Sequence, residues 1–198
     1  ALHGVAALAI LGVLAIPVFG LSTGMPSIKV VPDGDPARVG YEQVQAAFGP
    51  GAPGALQLVG SSSDVATAAR VAADDAGIAS VAPSVSGDNG LAVVQAIPSV
   101  DPSNPALGAT IDRLRDAVPD GVLVGGAAAE NHDLEKALAR ATPIVIAVVL
   151  VLGFLLLLVA LQAPLIAAIG VVTNLLATGA AFGVARLLFQ EGYLAGLL

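Results

Sequence analysis

Residues Pro143–Leu161 read PIVIAVVLVLGFLLLLVAL, nineteen positions without one charged side chain. An α-helix rises ~1.5 Å per residue and the hydrocarbon core of a bilayer is ~30 Å thick, so ~20 apolar residues cross it. A buried core helix of a soluble protein rarely runs so long without a polar face. The stretch therefore predicts a membrane span. On its far side, after only Gln162-Ala163-Pro164, Leu165–Phe189 is uncharged until Arg186 and predicts a second span. Near the start, Leu2–Leu21 carries no charge and His3 as its only polar side chain, predicting a third. That first stretch lacks the basic start and the small-residue cleavage pattern of a secretory signal peptide. The chain also lacks an initiator Met and stops in Ala195-Gly196-Leu197-Leu198, the expected look of a piece of a longer polypeptide.

The predicted organisation is a transmembrane helix at 1–21, a folded domain at 22–142, transmembrane helices at 143–161 and 165–189, and a truncated end at 190–198. Composition agrees. Hydrophobic residues make up 56% of the 198 positions and charged ones 12%, against ~25% charged in ordinary soluble domains. Of the 23 charged residues, 21 fall between Ser22 and Thr142. With 8 Lys+Arg against 15 Asp+Glu and a net charge of −7 there is no basic surface for nucleic acid. The absence of cysteine excludes disulfides, thiolate metal sites and thiol nucleophiles. Helix direction fixes only relative sides: the domain and the end after Phe189 share one side of the membrane, and the Gln162–Pro164 turn lies on the other.

The middle segment is punctuated clearly. Asp35-Pro36 reads as an N-cap followed by proline at the first helical position; Tyr41, Val44 and Phe48 recur at helical spacing, and Gly49-Pro50 stops the helix. Ala55–Val59 reads as a buried strand, and Asp64 as the cap of a helix through Ala76. Ile78–Val85 and Leu91–Ile97 are β-rich runs joined by Gly87-Asp88-Asn89-Gly90, a hairpin signal. Asn104-Pro105 opens a helix with Leu107, Ile111, Leu114 and Val118 on one stripe; Val122–Val124 is the next strand, closed by Gly125-Gly126. The order strand, helix, strand, strand, helix, strand is the split βαβ pattern of ferredoxin-like folds. The expected fold class is thus an α+β membrane protein, with a ferredoxin-like (βαββαβ) domain inserted between transmembrane helices. Ala128–Ala141 then reads as an amphipathic helix in which Asp133 and Lys136 can pair at i, i+3. Pro143 either starts a new helix or kinks a continuous one.

These residues in this order, an entry span, an acidic Pro-containing linker, Tyr41…Phe48-Gly49-Pro50-Gly51, Gly125-Gly126…Asp133…Leu138…Pro143, the LLLLVALQAPL stretch and Asn174-Leu175-Leu176, resemble the MMPL branch of the resistance–nodulation–division (RND) superfamily of transporters. The resemblance covers essentially the whole chain and implies an architecture of two related halves. Each half has one span, an extracytoplasmic porter domain and five further spans. The FGPG motif is most like the start of the second half. The resemblance further implies a multi-pass cell-membrane protein with residues 22–142 extracytoplasmic. The implied activity is proton-driven export of lipids or other hydrophobic compounds, and the implied partners are the bilayer, a hydrophobic or lipid substrate, and the remaining helices and other porter domain of a parent transporter. The family's proton relay uses Asp/Tyr pairs on the fourth helix of each half. No Asp or Glu lies in the three apolar stretches, so no relay residue is carried over.

No catalytic, cofactor or metal site is expected. His3 has no partner to make a ligand set. Glu130, His132 and Asp133 point to different faces of one helix, which favours a solvated face over a metal. Asp74-Asp75 and Asp112…Asp116 read as charged surface, the latter interleaved with Arg113 and Arg115. Ser61-Ser62-Ser63 reads as a loop and cap, and Gly49-Pro50-Gly51 lacks the lysine of a phosphate loop. Thr173 and Asn174 are the informative polar pair inside a span: Asn174 facing lipid would be expensive, so an interhelical hydrogen bond or a lining of the substrate path is expected. Gly179 and Gly183 form a small-xxx-small face, and Arg186 can snorkel to the interface. Two other readings remain at this point: a protein-export accessory of the same superfamily, and a membrane-anchored binding or sensing module without transport.

Overall fold

The computed structural model describes residues 2–20 and 28–189. Segments 21–27 and 190–198, and the side chain of His3, lie outside the described residues, so the readings of Leu21, of the linker's start and of the chain's end are not addressed by it. The chain divides into two compact units, one of residues 1–23 with 139–198 and one of residues 24–138.

The second unit is the mixed one. Helix α2 (Pro36–Phe48) starts where the sequence says: the Asp35 carboxylate accepts from the Ala37 N–H, Pro36 follows, and Gly49, at φ +96°, ends the helix. Strand β1 (Leu56–Ser61) leads into α3 (Ser62–Asp74). The cap of α3 is Ser61, not Asp64. The Ser61 hydroxyl accepts from the Asp64 N–H and donates to the Asp64 carboxylate. The helix ends at Asp74, two residues before the expected Ala76. Asp75 then accepts from the Gly77 N–H and from Arg113.

The first β-rich run is broken in two, β2 (Ile78–Val81) and β3 (Val85–Ser86), with Pro83 between them. A proline has no N–H for the ladder, so pairing lapses there and resumes beyond it. Asn89 and Gly90 adopt positive φ in the turn to β4 (Leu91–Pro98). Helix α4 (Ala106–Ala117) and strand β5 (Leu123–Gly125) complete the order.

The sheet runs β2-β4-β1-β5, with β3 also on β4, and every pairing is antiparallel. Alternation along the strands puts Leu56, Leu58, Val94, Ala96 and Val124 on one face. Against them pack Val65, Ala68 and Ala72 of α3, all four residues of the predicted α4 stripe, and Ala128 and Ala129 at the start of α5 (Ala127–Leu161). One layer of helices on one face of an antiparallel sheet makes the core. No buried side-chain polar atom lacks a hydrogen-bond partner among the described residues.

Helix α5 continues through Thr142-Pro143 to Leu161, which settles the alternative at Pro143 in favour of a single helix. Gln162, at φ +50°, turns the chain into α6 (Pro164–Phe189). Both helices are long and apolar enough to cross a membrane. The first apolar stretch differs from expectation. It is α-helical only over α1 (Leu2–Ala15), and Ile16–Gly20 tightens into a 3₁₀ turn. Pro17 is the cause: without an N–H it cannot continue the i→i−4 ladder. Fourteen α-helical residues reach about 21 Å, short of the ~30 Å of a bilayer's hydrocarbon core.

Within this unit α1 lies along α6. A β-carbon on Gly179 would come within 3.2 Å of Ala15, one on Gly183 would land on the Leu14 carbonyl, and Arg186 donates to the Pro17 carbonyl at 2.8 Å. From Gly179 against Ala15, through Gly183 against Pro17, to Arg186 against Gly20, the contacts advance in the same sense on both segments, so α1 and α6 run in the same direction. The small-xxx-small face works as predicted, by allowing backbone to meet backbone. The Arg186 cation sits on a carbonyl of the 3₁₀ turn that follows α1, where the helix dipole favours positive charge.

Candidate functional site

Three groups of residues bear on function: the polar pair on α6, the glycine motif with its tyrosine, and the ionic ties at the start of α5.

Thr173 and Asn174 lie near the middle of α6. The Thr173 hydroxyl donates to the Ile169 carbonyl of its own helix at 2.8 Å, the usual way a threonine satisfies itself in an apolar helix. Asn174 is exposed, and its side chain makes no hydrogen bond among the described residues. Ala167 and Ala180, by contrast, are buried. The two polar residues therefore differ, and only the asparagine is left with donors and an acceptor to offer. No residue of the apolar part of α5 is fully buried either.

The Tyr41…FGPG segment is a structural joint. Tyr41 donates to Asp101 Oδ2 at 3.2 Å and Gln45 Nε2 donates to the same oxygen at 2.6 Å; Gln45 also reaches the Pro50 carbonyl at 2.7 Å. Ser103 donates to the other carboxylate oxygen through both its hydroxyl and its N–H. Burial pushes the Tyr41 phenol up to about 12, and the neighbouring Asp101 charge adds to it. Burial alone would raise Asp101, but the Ser103, Gln45 and Tyr41 hydrogen bonds together hold it below the usual aspartate range. Gly51 lies so close to β4 that a β-carbon there would overlap the Pro98 carbonyl. The motif thus pins α2 to the end of β4. Nothing in the sequence pointed to the Tyr41–Asp101 contact, since sixty positions separate the partners and only the fold brings them together.

The polar face of α5 is also tied to α4, by pairs that stay half-exposed. Arg115 of α4 holds Asp133 in a bidentate pair at 2.5 and 2.8 Å and donates to the Val124 carbonyl. Lys136 bonds both oxygens of Asp112 at 2.7 and 2.8 Å, and His132 Nε2 lies 3.1 Å from Asp112 Oδ1. His132 is mostly covered, with 16% of its side chain exposed. It fits because position 108 is glycine: a β-carbon there would lie 2.7 Å from the imidazole. The i, i+3 pair expected between Asp133 and Lys136 does not form, because each residue finds a partner on α4 instead. Among the described residues no cluster of three His, Cys, Asp or Glu could hold a metal.

Hydrogen bonds from Lys136 and Arg115 are the main causes that hold Asp112 and Asp133 below the ordinary aspartate range. A carboxyl lowered in the folded state stabilises above its unfolded value of about 3.9, and that contribution is lost as pH falls through the lowered folded value. Acid below about pH 3.9 is therefore expected to loosen the first turns of α5 from α4. Asp133→Asn is expected to remove much of this acid response at a cost below about 1 kcal/mol near neutral pH, the ordinary worth of an exposed pair. Amide exchange of residues 128–138 against pH measures both.

A family model described as the MMPL family matches residues 35–197. Among curated proteins, the haem uptake protein MmpL11 of Mycobacterium tuberculosis is 31% identical over 209 residues, covering 97% of this chain and 22% of the relative. The mycolic acid-containing lipids exporter MmpL11 of Mycolicibacterium smegmatis is 30% identical, covering 96% of the chain and 22% of the relative. The membrane protein YdfJ of Bacillus subtilis is 26% identical, covering 96% and 28%. The chain spans 22% to 28% of the length of these relatives.

Proposed function

Because the chain belongs to the MMPL family of membrane transport proteins, we propose that it forms part of a transporter moving lipids or other hydrophobic compounds across the cell membrane, by export and at the expense of inward proton flow. The observation that carries this reading is the pairing of relatives over nearly the whole chain with two apolar helices that follow directly from a folded domain. The relatives' names include a haem uptake protein and a lipid exporter, and the chemistry common to both cargoes is a large apolar body. In this reading α1, α5 and α6 span the membrane and residues 22–142 form an extracytoplasmic porter domain of ferredoxin-like fold. The strand order β2-β4-β1-β5 supports the fold, since it leaves β4 between the two strands that a split βαβ unit joins. The shared direction of α1 and α6 supports the topology, because two spans separated by one returning span must run the same way.

An ionisable residue kept at membrane depth marks a proton path. With no Asp or Glu in α1, in the apolar part of α5 (Pro143–Leu161) or in α6, the proton-bearing groups belong to other helices of the parent. The test is deletion of the parent reading frame with analysis of surface lipids. The reading expects cell-associated lipid to rise as surface lipid falls, with the same effect from a protonophore. Unchanged surface lipid on deletion would contradict export.

Asn174 serves in this reading as a helix contact. A polar side chain facing hydrocarbon is costly unless paired, and an interhelical hydrogen bond returns ~0.6–2 kcal/mol. Asn174→Leu is expected to lower the amount of folded parent in the membrane without altering which cargo is moved. Normal abundance with a changed cargo profile would instead assign Asn174, with Thr173 beside it, to the substrate path.

A further inference from the structure

The face of the sheet opposite its core is uncharged. Pairing registers set Val85 beside Val93, Val93 beside Val59 and Val59 beside Leu123, an apolar row that crosses four strands. Val85 and Leu123 are 65% and 74% exposed. Leu91 and Ile97 stand next along β4, and the polar positions on this face, Gln57, Ser61, Ser80 and Gln95, are all neutral. Among the described residues no charged side chain occupies a strand position on this face. An antiparallel sheet with one solvated face normally alternates apolar-in with polar-out, and an exposed apolar patch rimmed by polar residues marks a contact surface.

The face fits some occupants better than others. A membrane surface selects Lys, Arg and aromatic anchors, and this face has none. A small apolar ligand needs a concavity that buries most of it, whereas a row of side chains on a sheet is flat. Flat apolar sheet faces pack on one another ~10 Å apart with interdigitating side chains. A free-standing dimer uses about 20–30 residues a side, roughly twice what this face offers. A surface tethered on the same polypeptide needs no such area, because the tether supplies a high effective concentration. The relatives are several times longer than this chain, which covers 22% of them. We infer that the Val85–Val93–Val59–Leu123 face docks against a flat, uncharged apolar protein surface supplied by its own parent polypeptide outside residues 1–198. This rests on the family relation for the parent's length, and not on the direction or energy source of transport.

The test uses the purified full-length parent in detergent, with its own cysteines removed. Val85→Cys and Leu123→Cys are made singly, with Asp116→Cys on the exposed side of α4 as reference, and maleimide labelling rates are normalised to the denatured protein. Both sheet positions are expected to label about tenfold or more slower than position 116, as dry interface positions do, at every protein concentration. Equal rates at all three positions would overturn the proposal. So would slow labelling that disappears on dilution and is accompanied by cross-links between copies, which would assign the face to a second molecule.

Discussion

Inserting a flexible Gly/Ser segment directly after Thr142 is expected to abolish transport by the intact parent while leaving its abundance in the membrane unchanged. The expectation follows from α5. Its first turn is buried in the domain core through Ala128 and Ala129, its second and third are held to α4 by the Arg115–Asp133 and Lys136–Asp112 pairs, and the same helix continues to Leu161. A helix transmits a displacement of one end to the other because its backbone stays wound, here even past the one ladder bond that Pro143 omits, whereas a Gly/Ser coil of about six residues does not. The ion pairs are exposed, and each contributes little to stability; their role in this account is to keep the helix seated. A parent that transports normally with the insert would remove α5 as the coupling element while leaving the transporter assignment standing.

The second large effect separates two adjacent glycines. Gly126 has φ +100°, and a β-carbon there would lie 2.9 Å from the Ala55 carbonyl, so a side chain meets both an unfavourable backbone region and a fixed oxygen of the segment entering β1. Gly126→Val is expected to destabilise the domain by about 3 kcal/mol or more, combining strain of ~1–3 kcal/mol with overpacking of similar size. Gly125→Ala, one position earlier, meets nothing within 4 Å and is expected to change stability by less than ~1 kcal/mol. Limited proteolysis of the membrane-embedded protein reads the difference. Equal sensitivity of the two variants would mean that the double glycine is not there for the approach of these two chain segments.

The sequence announces what depends on near neighbours. Asp35-Pro36 starting α2, Gly49 ending it, the Asn89-Gly90 turn and the Leu107–Ile111–Leu114–Val118 stripe all act within a few residues and all appear in the structure as read. The two parts of α5 follow for the same reason, its polar start from the amphipathic stretch Ala128–Ala141 and its apolar end from the nineteen residues Pro143–Leu161. Where local signals compete, the outcome was not legible. Ser61 and Asp64 can each cap a helix, and the reciprocal hydrogen bond that chooses Ser61 uses both. Pro143 is a helix breaker by propensity, yet the helix passes through it. Pro17 lies in a stretch apolar enough for a span, and its missing N–H shortens the α-helix without changing hydropathy. Charge partners were the least legible: Asp133 had Lys136 within reach on its own helix and took Arg115 across the domain, because α4 brings a planar, two-pronged donor to it.

The central claim is that α5 and α6 cross a bilayer and that residues 22–142 are folded on its outer side. The direct measurement is labelling of single cysteines by a membrane-impermeant reagent in intact cells, at Asn89→Cys in the β3–β4 turn and at Ala163→Cys between α5 and α6. Labelling at position 89 in intact cells, with position 163 reached only after permeabilisation, is the predicted result. Labelling of both positions from the same side would contradict it.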